Sequence, residues 1–457
     1  MTDPRRVRQK KEAAAGTGPV VYVMAREQRV NNNWALLYAA ELAEKHNVSL
    51  VVLFAMGPMF NSGSRRHNDW MIASLQNVEK NLNKHQVPFT VVTGEWADSI
   101  PQFVSEHDIH SLVFDFNPLQ PVRGWRDAVI KTVDIPVHEV DARNVVPCWV
   151  ASDKTEYAAR TFRPKIKKYW TEFAGDCPKF HKPSVCFSGS LPKLDWEQLR
   201  QYRSFECDAP LPDWITPGED AAQDMLQEFL EERLNDYDEL RNDPVKDCTS
   251  RLSAYLRWGN ISAQQVVSAV ESKRGTRYEN KAAFLEELVV RRELTDNYVY
   301  YTKDYDKLSA AADWAQESLK KHTDDEREYV YTFSEFEEAK THDELWNAAQ
   351  MQMVQEGRMH GYMRMYWAKK ILEWTNTPEY AIEVAMKLND RYQLDGRDSN
   401  GVVGVMWSIC GIHDQGWAER PVFGKIRYMN YNGAKRKFDV DAYVEKYTVA
   451  QDTMFHD

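Results

Sequence analysis

No apolar run in this 457-residue sequence is long enough to cross a bilayer, and its start carries no leader pattern. Neither a spanning segment nor export is therefore expected. Cysteine is scarce: Cys148, Cys177, Cys186, Cys207, Cys248 and Cys410 form no C-x-x-C pair and no cluster with histidine. That argues against a zinc site and a disulfide framework; no metal is expected, and the compartment should be reducing and intracellular. Glycine is missing from Ala25–Asn33, between the first apolar run and the first helical stretch. Its absence removes both the dinucleotide fingerprint and a phosphate loop. Acidic residues outnumber basic ones, giving a net charge of −11, yet a local positive field decides nucleic-acid binding more than the total does. Tryptophan is abundant, with fifteen residues in a chain too long for one hydrophobic core.

Short apolar runs at Val20–Met24, Ser49–Met56, Phe89–Gly94, Ser111–Phe116 and Pro136–Val140 alternate with helical periodicity, as at Asn33–Lys45 and Asn68–His85. This pattern predicts a doubly wound α/β domain on a five-stranded parallel sheet over residues 19–145. Residues 1–18, with Arg5, Arg6, Arg8, Lys10 and Lys11, read as a disordered basic tail, nuclear localisation being the sharper alternative. Over 146–218 periodicity fades, and prolines, aromatics and the run Arg160, Arg163, Lys165, Lys167, Lys168 predict a long inter-domain connection on the surface. Residues 219–450 are helical almost throughout and predict an all-α domain, with 451–457 as a tail.

Four segments of the helical half carry candidate chemistry. Thr249, Ser250 and Ser253 precede a helical run, where hydroxyls and amides serve either as caps or as a phosphate cradle. Glu287 and Arg291, four apart on the predicted helix Lys281–Tyr298, make an exposed ion pair in the plainer reading, worth about 0.3–0.5 kcal/mol. Trp367 and Trp374 lie a heptad apart on one helix face, with Trp346 on the preceding helix; core packing is the alternative for each. The run Leu394-Asp395-Gly396-Arg397-Asp398-Ser399-Asn400-Gly401 is costly to bury without polar partners, and its spacing is not that of an EF-hand. Separately, Arg420–Phe438 holds six basic residues and no acidic one, interleaved with Phe423, Tyr428, Tyr431 and Phe438. Positive charge with aromatics suits a nucleic-acid surface, a charged exposed loop being the alternative.

Several stretches together closely resemble the class II cyclobutane dimer photolyases of the photolyase–cryptochrome superfamily. They are Trp34-Ala35-Leu36-Leu37, Asn144-Val145-Val146-Pro147-Cys148-Trp149, Thr161-Phe162-Arg163-Pro164-Lys165, His360–Trp374, Leu394–Asp398 and Gly424-Lys425-Ile426-Arg427-Tyr428-Met429. The resemblance runs from about Pro19 to Tyr447.

It implies that the helical domain binds FAD, active in its reduced anionic form, with an antenna chromophore of open identity. Tyr237, Thr249, Ser250, Arg251, Leu252 and Ser253 would hold the phosphates. Arg364 and Asp395 would form a buried pair flanking the flavin, with Gly396 and Asn400 nearby and Asn389 at its N5. Glu287 would hydrogen-bond a base of the dimer, and Met365 and Trp407 would pack against it. Arg241, Arg291, Trp417 and Arg427 complete the expected DNA contacts. Some relatives carry tryptophan where Arg291 stands, which puts aromatic stacking from that helix in doubt. Trp346, Trp367 and Trp374, with Tyr366, would carry electrons inward. The implied activity is light-driven splitting of cyclobutane pyrimidine dimers flipped out of double-stranded DNA, by a monomer, in the nucleus of a eukaryote or otherwise the cytoplasm. A cryptochrome-like photoreceptor on the same flavin domain is the rival.

Overall fold

The computed structural model describes residues 1–57 and 63–448. Its N-terminal half is built on six strands: β1 Val7–Lys11, β2 Val20–Met24, β3 Leu50–Met56, β4 Phe89–Thr93, β5 Ser111–Asp115 and β6 Val137–Val140. Their order across the sheet is β1-β6-β5-β2-β3-β4, parallel except for β1. Because side chains alternate across a strand, the β2 and β3 runs serve two cores. Val21, Val23, Val51 and Leu53 meet Ile100, Phe103, Val122 and Val129 of the helices Trp96–Glu106 and Gln120–Thr132. Val20, Tyr22, Val52 and Phe54 meet Leu36, Ala39, Ile72 and Leu75 of the helices Trp34–His46 and Arg65–Lys84.

Two expectations need correction. The predicted basic tail contributes β1, an antiparallel edge strand on β6, so the sheet has six strands rather than five. Arg6 is buried and donates to the carbonyls of Asn144 at 3.0 Å and Val145 at 2.8 Å, while Arg8 lies 4.1 Å over the Trp149 ring. These residues therefore provide no free basic tail. The connection over 146–218 is also partly structured. Its helix Ala159–Phe173 buries Phe162, Ile166 and Phe173, and Arg163 grips Glu286 with two hydrogen bonds, at 2.9 and 2.7 Å. The tail expected at 451–457 lies outside the described residues.

The C-terminal half is helical, and no described helix is long and apolar enough to cross a membrane. Buried ions join it to the sheet. Asp398 binds Arg26, which follows β2, and Arg143, which follows β6, the latter at 3.0 Å; Arg143 Nε also reaches Asp296 at 2.6 Å. Glu293 accepts from the amide of Val145 at 2.6 Å, and burial pushes its carboxyl up to about 8.

Candidate functional site

The helix Gly361–Glu373 begins at His360, whose ring accepts from the Tyr362 amide at 3.2 Å. One turn in, the Arg364 Nη2 donates to both Asp395 oxygens at 2.9 Å and to Gln393 Oε1 at 3.0 Å. The expected pair forms, but it is part-buried: the two side chains are 29% and 14% exposed. Asn389 donates to Asp390 Oδ1 at 2.9 Å, and Asn400 to Asp398 Oδ2 at 3.2 Å. Gly401 lets Asn389 approach, since a Cβ there would stand 2.7 Å from Asn389 Nδ2; at Gly396 one would meet the Asn389 carbonyl at 2.7 Å. Burial pushes His360 down to about 4, and Arg364, Arg358 and Asp243 act on it electrostatically. The start of this helix thus adjoins the Arg241–Asp243 turn.

The Thr249–Ser253 segment does not cap its helix. The N-cap of Ser253–Trp258 is Leu252, which gives no side-chain cap bond, and Ser250 Oγ instead accepts from the Leu252 amide at 3.3 Å. Arg251, in the left-handed region at φ 58, is held by Asp247. Hydroxyls beside an uncapped helix start fit a phosphate. The Arg364–Asp395 pair and the Asn389 and Asn400 amides offer charges, donors and acceptors suited to the edge of a flat heterocycle. By donor chemistry, these residues fit FAD.

Glu287 and Arg291 are not the ion pair that their spacing predicts. Residues Glu286–Arg291 form a π-turn between the helices Tyr278–Leu285 and Arg292–Tyr301. In a π-turn position i faces i+5, so Arg291 Nε meets Glu286 Oε1, at 3.4 Å. Glu287 is left open to solvent, yet surrounding protein raises its carboxyl pKa by desolvation, against the opposing charges of Arg291 and Arg241. Buried Tyr237 lies within electrostatic reach of both Glu287 and Arg241, and packs edge-on against Phe284 at 5.3 Å.

The tryptophans make one continuous run of ring contacts. Trp346 sits between the other two, nearly parallel to Trp367 with ring centroids 6.2 Å apart and edge-on to Trp374 at 6.0 Å. All three are buried, Trp346 Nε1 donating to the Trp367 carbonyl at 3.0 Å. Tyr366 donates to Asp343, at the N-cap of the Trp346 helix. Beyond Trp374 come His342 at 4.9 Å and Tyr331 at 5.6 Å, and Tyr329, which is 38% exposed, stacks on His342 at 3.6 Å. Sequence spacing does not mark these outer rings, because they come from a loop.

On another face Arg427 lies 4.8 Å from the Trp417 ring and 5.9 Å from Trp407. Trp417 is 44% exposed, whereas Trp407 and Met365 are half-buried. The six basic residues of Arg420–Phe438 are all exposed, but Phe423 and Phe438 belong to the core, leaving Tyr428 and Tyr431 half-buried. Behind Trp407 lies Lys369, which the sequence did not single out, its Nζ 4.6 Å from the ring.

The family model "DNA photolyase" matches residues 20–184. The chain is 49% identical over 444 residues to a deoxyribodipyrimidine photo-lyase of Oryza sativa subsp. japonica, covering 93% of this chain and 87% of that one. To the protein of that name in Arabidopsis thaliana it is 46% identical over 437 residues, covering 93% and 88%. A class III photolyase structure from Agrobacterium tumefaciens superposes with a TM-score of 0.74 at 20% identity, covering 96% and 88%, a likeness of fold.

Proposed function

The chain belongs to the DNA photolyase family, and from that premise we propose how its residues serve the light-driven repair of cyclobutane pyrimidine dimers. Bound FAD supplies a photoexcited electron donor in its reduced anionic form. Thr249, Ser250 and Ser253, with the amides of Arg251 and Leu252 and the neighbouring Tyr237, hold its phosphates. Arg364, Asp395 and Gly396 flank its ring, and Asn389 and Asn400 present amides to it. A fixed guanidinium favours an adjacent anion, as it lowers the pKa of a nearby carboxyl. Trp374, Trp346 and Trp367, with Tyr366, carry electrons inward. For an antenna chromophore the candidate place is the crevice at the ends of β2 and β3, between Trp96, Arg203 and Trp258. At 100 Å³ it is smaller than the roughly 300 Å³ of ordinary ligand sites, so a chromophore would have to displace side chains.

The acting unit is a single chain, and the dimer leaves the duplex to meet Glu287, Met365 and Trp407, with Arg241, Arg291, Trp417 and Arg427 on the DNA. Flipping costs least at damaged pairs, where less pairing and stacking has to be broken. Glu287 carries this reading. An accessible carboxyl whose pKa is raised by the surrounding protein stands where, once protonated, it would donate a hydrogen bond to a base carbonyl as negative charge develops there. Both cyclobutane bonds then open and the electron returns, with no net redox change.

The test is the number of dimers split per absorbed photon, with flavin fully reduced and dimer DNA defined. Glu287→Ala should keep FAD content and thermal stability and bind dimer DNA only modestly worse, while the yield falls several-fold. Glu287→Gln, which still donates, should lose less. An alanine variant with wild-type yield would remove Glu287 from the chemistry.

A further inference from the structure

The segment Trp417–Tyr428 has an unusual backbone. Val422 lies in the left-handed region at φ 65, rare for a β-branched residue, and Arg420 and Gly424 exchange backbone hydrogen bonds at 2.9 and 2.8 Å. What holds this shape comes from outside it, at the end of the helix Asp313–Lys321. Ser318 Oγ accepts from the Lys425 amide at 2.7 Å, and Asp325 Oδ2 accepts from the Val422 amide at 2.8 Å. Gly424, at φ 52, passes so close that a Cβ would stand 2.2 Å from Ser318 Oγ and 3.1 Å from His322 Cδ2.

His322, the C-cap of that helix, sits between two carboxylates: Nδ1 meets Asp325 at 2.5 Å and Nε2 meets Glu419 at 2.9 Å. Carboxylates only accept, and a neutral imidazole has one donor, so both contacts together require the imidazolium. We propose, resting on the reading that this loop meets DNA, that His322 is a positioning residue for recognition: bridged between Asp325 and Glu419, it fixes the loop that presents Trp417, Arg420 and Arg427 to the phosphate backbone. Its surroundings agree. Lys321 shares Glu419 at 2.8 Å, and Arg327 is held by the Asp325 carbonyl at 2.7 Å. The side-chain bonds to Glu419 and Asp325 raise the pKa of His322. A raised basic group holds its contact fully below the ordinary histidine value and loses it as pH rises through the folded value. The grip on DNA therefore loosens toward alkaline pH.

The experiment is anisotropy binding of the full-length protein to undamaged and dimer-containing duplexes between about pH 6 and pH 9, the range in which histidine titrates. Wild-type affinity should weaken as pH rises, on both duplexes. His322→Gln should bind roughly tenfold worse already at the acid end and change little with pH. Glu419→Gln separates anchoring from charge. Removing a carboxylate and freeing Lys321 would tighten DNA binding by field alone, whereas loss of the bridge weakens it. Tighter binding by Glu419→Gln, or a wild-type pH profile in His322→Gln, overturns the proposal. Arg427→Ala keeps the two readings apart: it should weaken both duplexes and lower the log–log salt slope by about 0.9. If Arg427→Ala has no effect, the loop does not meet DNA; if it weakens binding while His322→Gln does not, only the anchor fails.

Discussion

Lys369 is fully buried between the helices Gly361–Glu373 and Ser399–Cys410, donating to the Ser408 carbonyl at 3.0 Å. Burial pushes its pKa down to about 7, Asp414 opposing only in part. An unfolded lysine titrates near 10.4, so from about pH 7 to 10 the unfolded chain holds a proton that the fold lacks. Stability from this residue alone rises through that window by about 1.4 kcal/mol per pH unit. Lys369→Met keeps the stem and removes the titration. Its stability advantage over wild type should be largest near neutral pH and shrink toward pH 10, as denaturant unfolding at several pH values would measure. A constant difference would mean that Lys369 titrates as an exposed lysine does. Nothing in the sequence marks this residue, because burial of one lysine in a helix rich in aromatics follows from tertiary packing. For Glu287 the resemblance supplies the proposed role, whereas the ion pair with Arg291 that its spacing predicts does not form.

That difference arises at the level of the element. Helical spacing of 3.6 makes 287 and 291 neighbours, but the π-turn widens one turn and replaces that pair with 286 and 291. No composition rule announces a π-turn, so the helix was legible and its facing was not. Two tryptophans a heptad apart told of one helix face but not of the ring inserted between them. With Trp346 in the middle, Trp346→Phe should interrupt transfer while leaving its neighbours seated. The variant should fold and bind FAD, and photoreduce slowly under blue light with an external reductant. Repair with chemically reduced flavin should stay near wild type. Unchanged photoreduction would mean that this run of rings is only core.

At the scale of the whole molecule, alternation of strands and helices was enough to expect the doubly wound sheet and the all-α half, since both rest on hydrophobic periodicity. The edge strand β1 was missed because a short basic run at a chain end has the composition of a disordered tail; its order comes from pairing with β6 and from the carbonyls around Arg6. The joint between the halves was equally hidden, since Arg26, Arg143, Asp296 and Asp398 are far apart in sequence and meet only in the fold. Asp398 also accepts from the Ser399 amide at 2.8 Å, at the N-cap of the helix that carries Asn400 and Trp407. Asn is as good an N-cap as Asp, so Asp398→Asn keeps the cap while removing the charge and one acceptor oxygen. Two buried guanidinium groups would then lose a counter-ion, a change of about 3–5 kcal/mol where such pairs have been broken. The sign with pH follows from the same ions. Although burial opposes it, Arg143 and Arg26 hold the Asp398 carboxyl well below the usual carboxylate range. A depressed acid contributes stability above its unfolded value, near 3.9, and loses it as pH falls toward its folded value. Wild type should therefore lose its margin over Asp398→Asn on acidification below about pH 4, while keeping it in full at neutral pH. Denaturant midpoints for both proteins across that range measure the margin, and FAD content at neutral pH should fall in the variant because Asn400 leans on Asp398. If the variant unfolds at the wild-type midpoint at neutral pH, the ions merely fill the joint and hydrophobic contact alone holds the two halves in place.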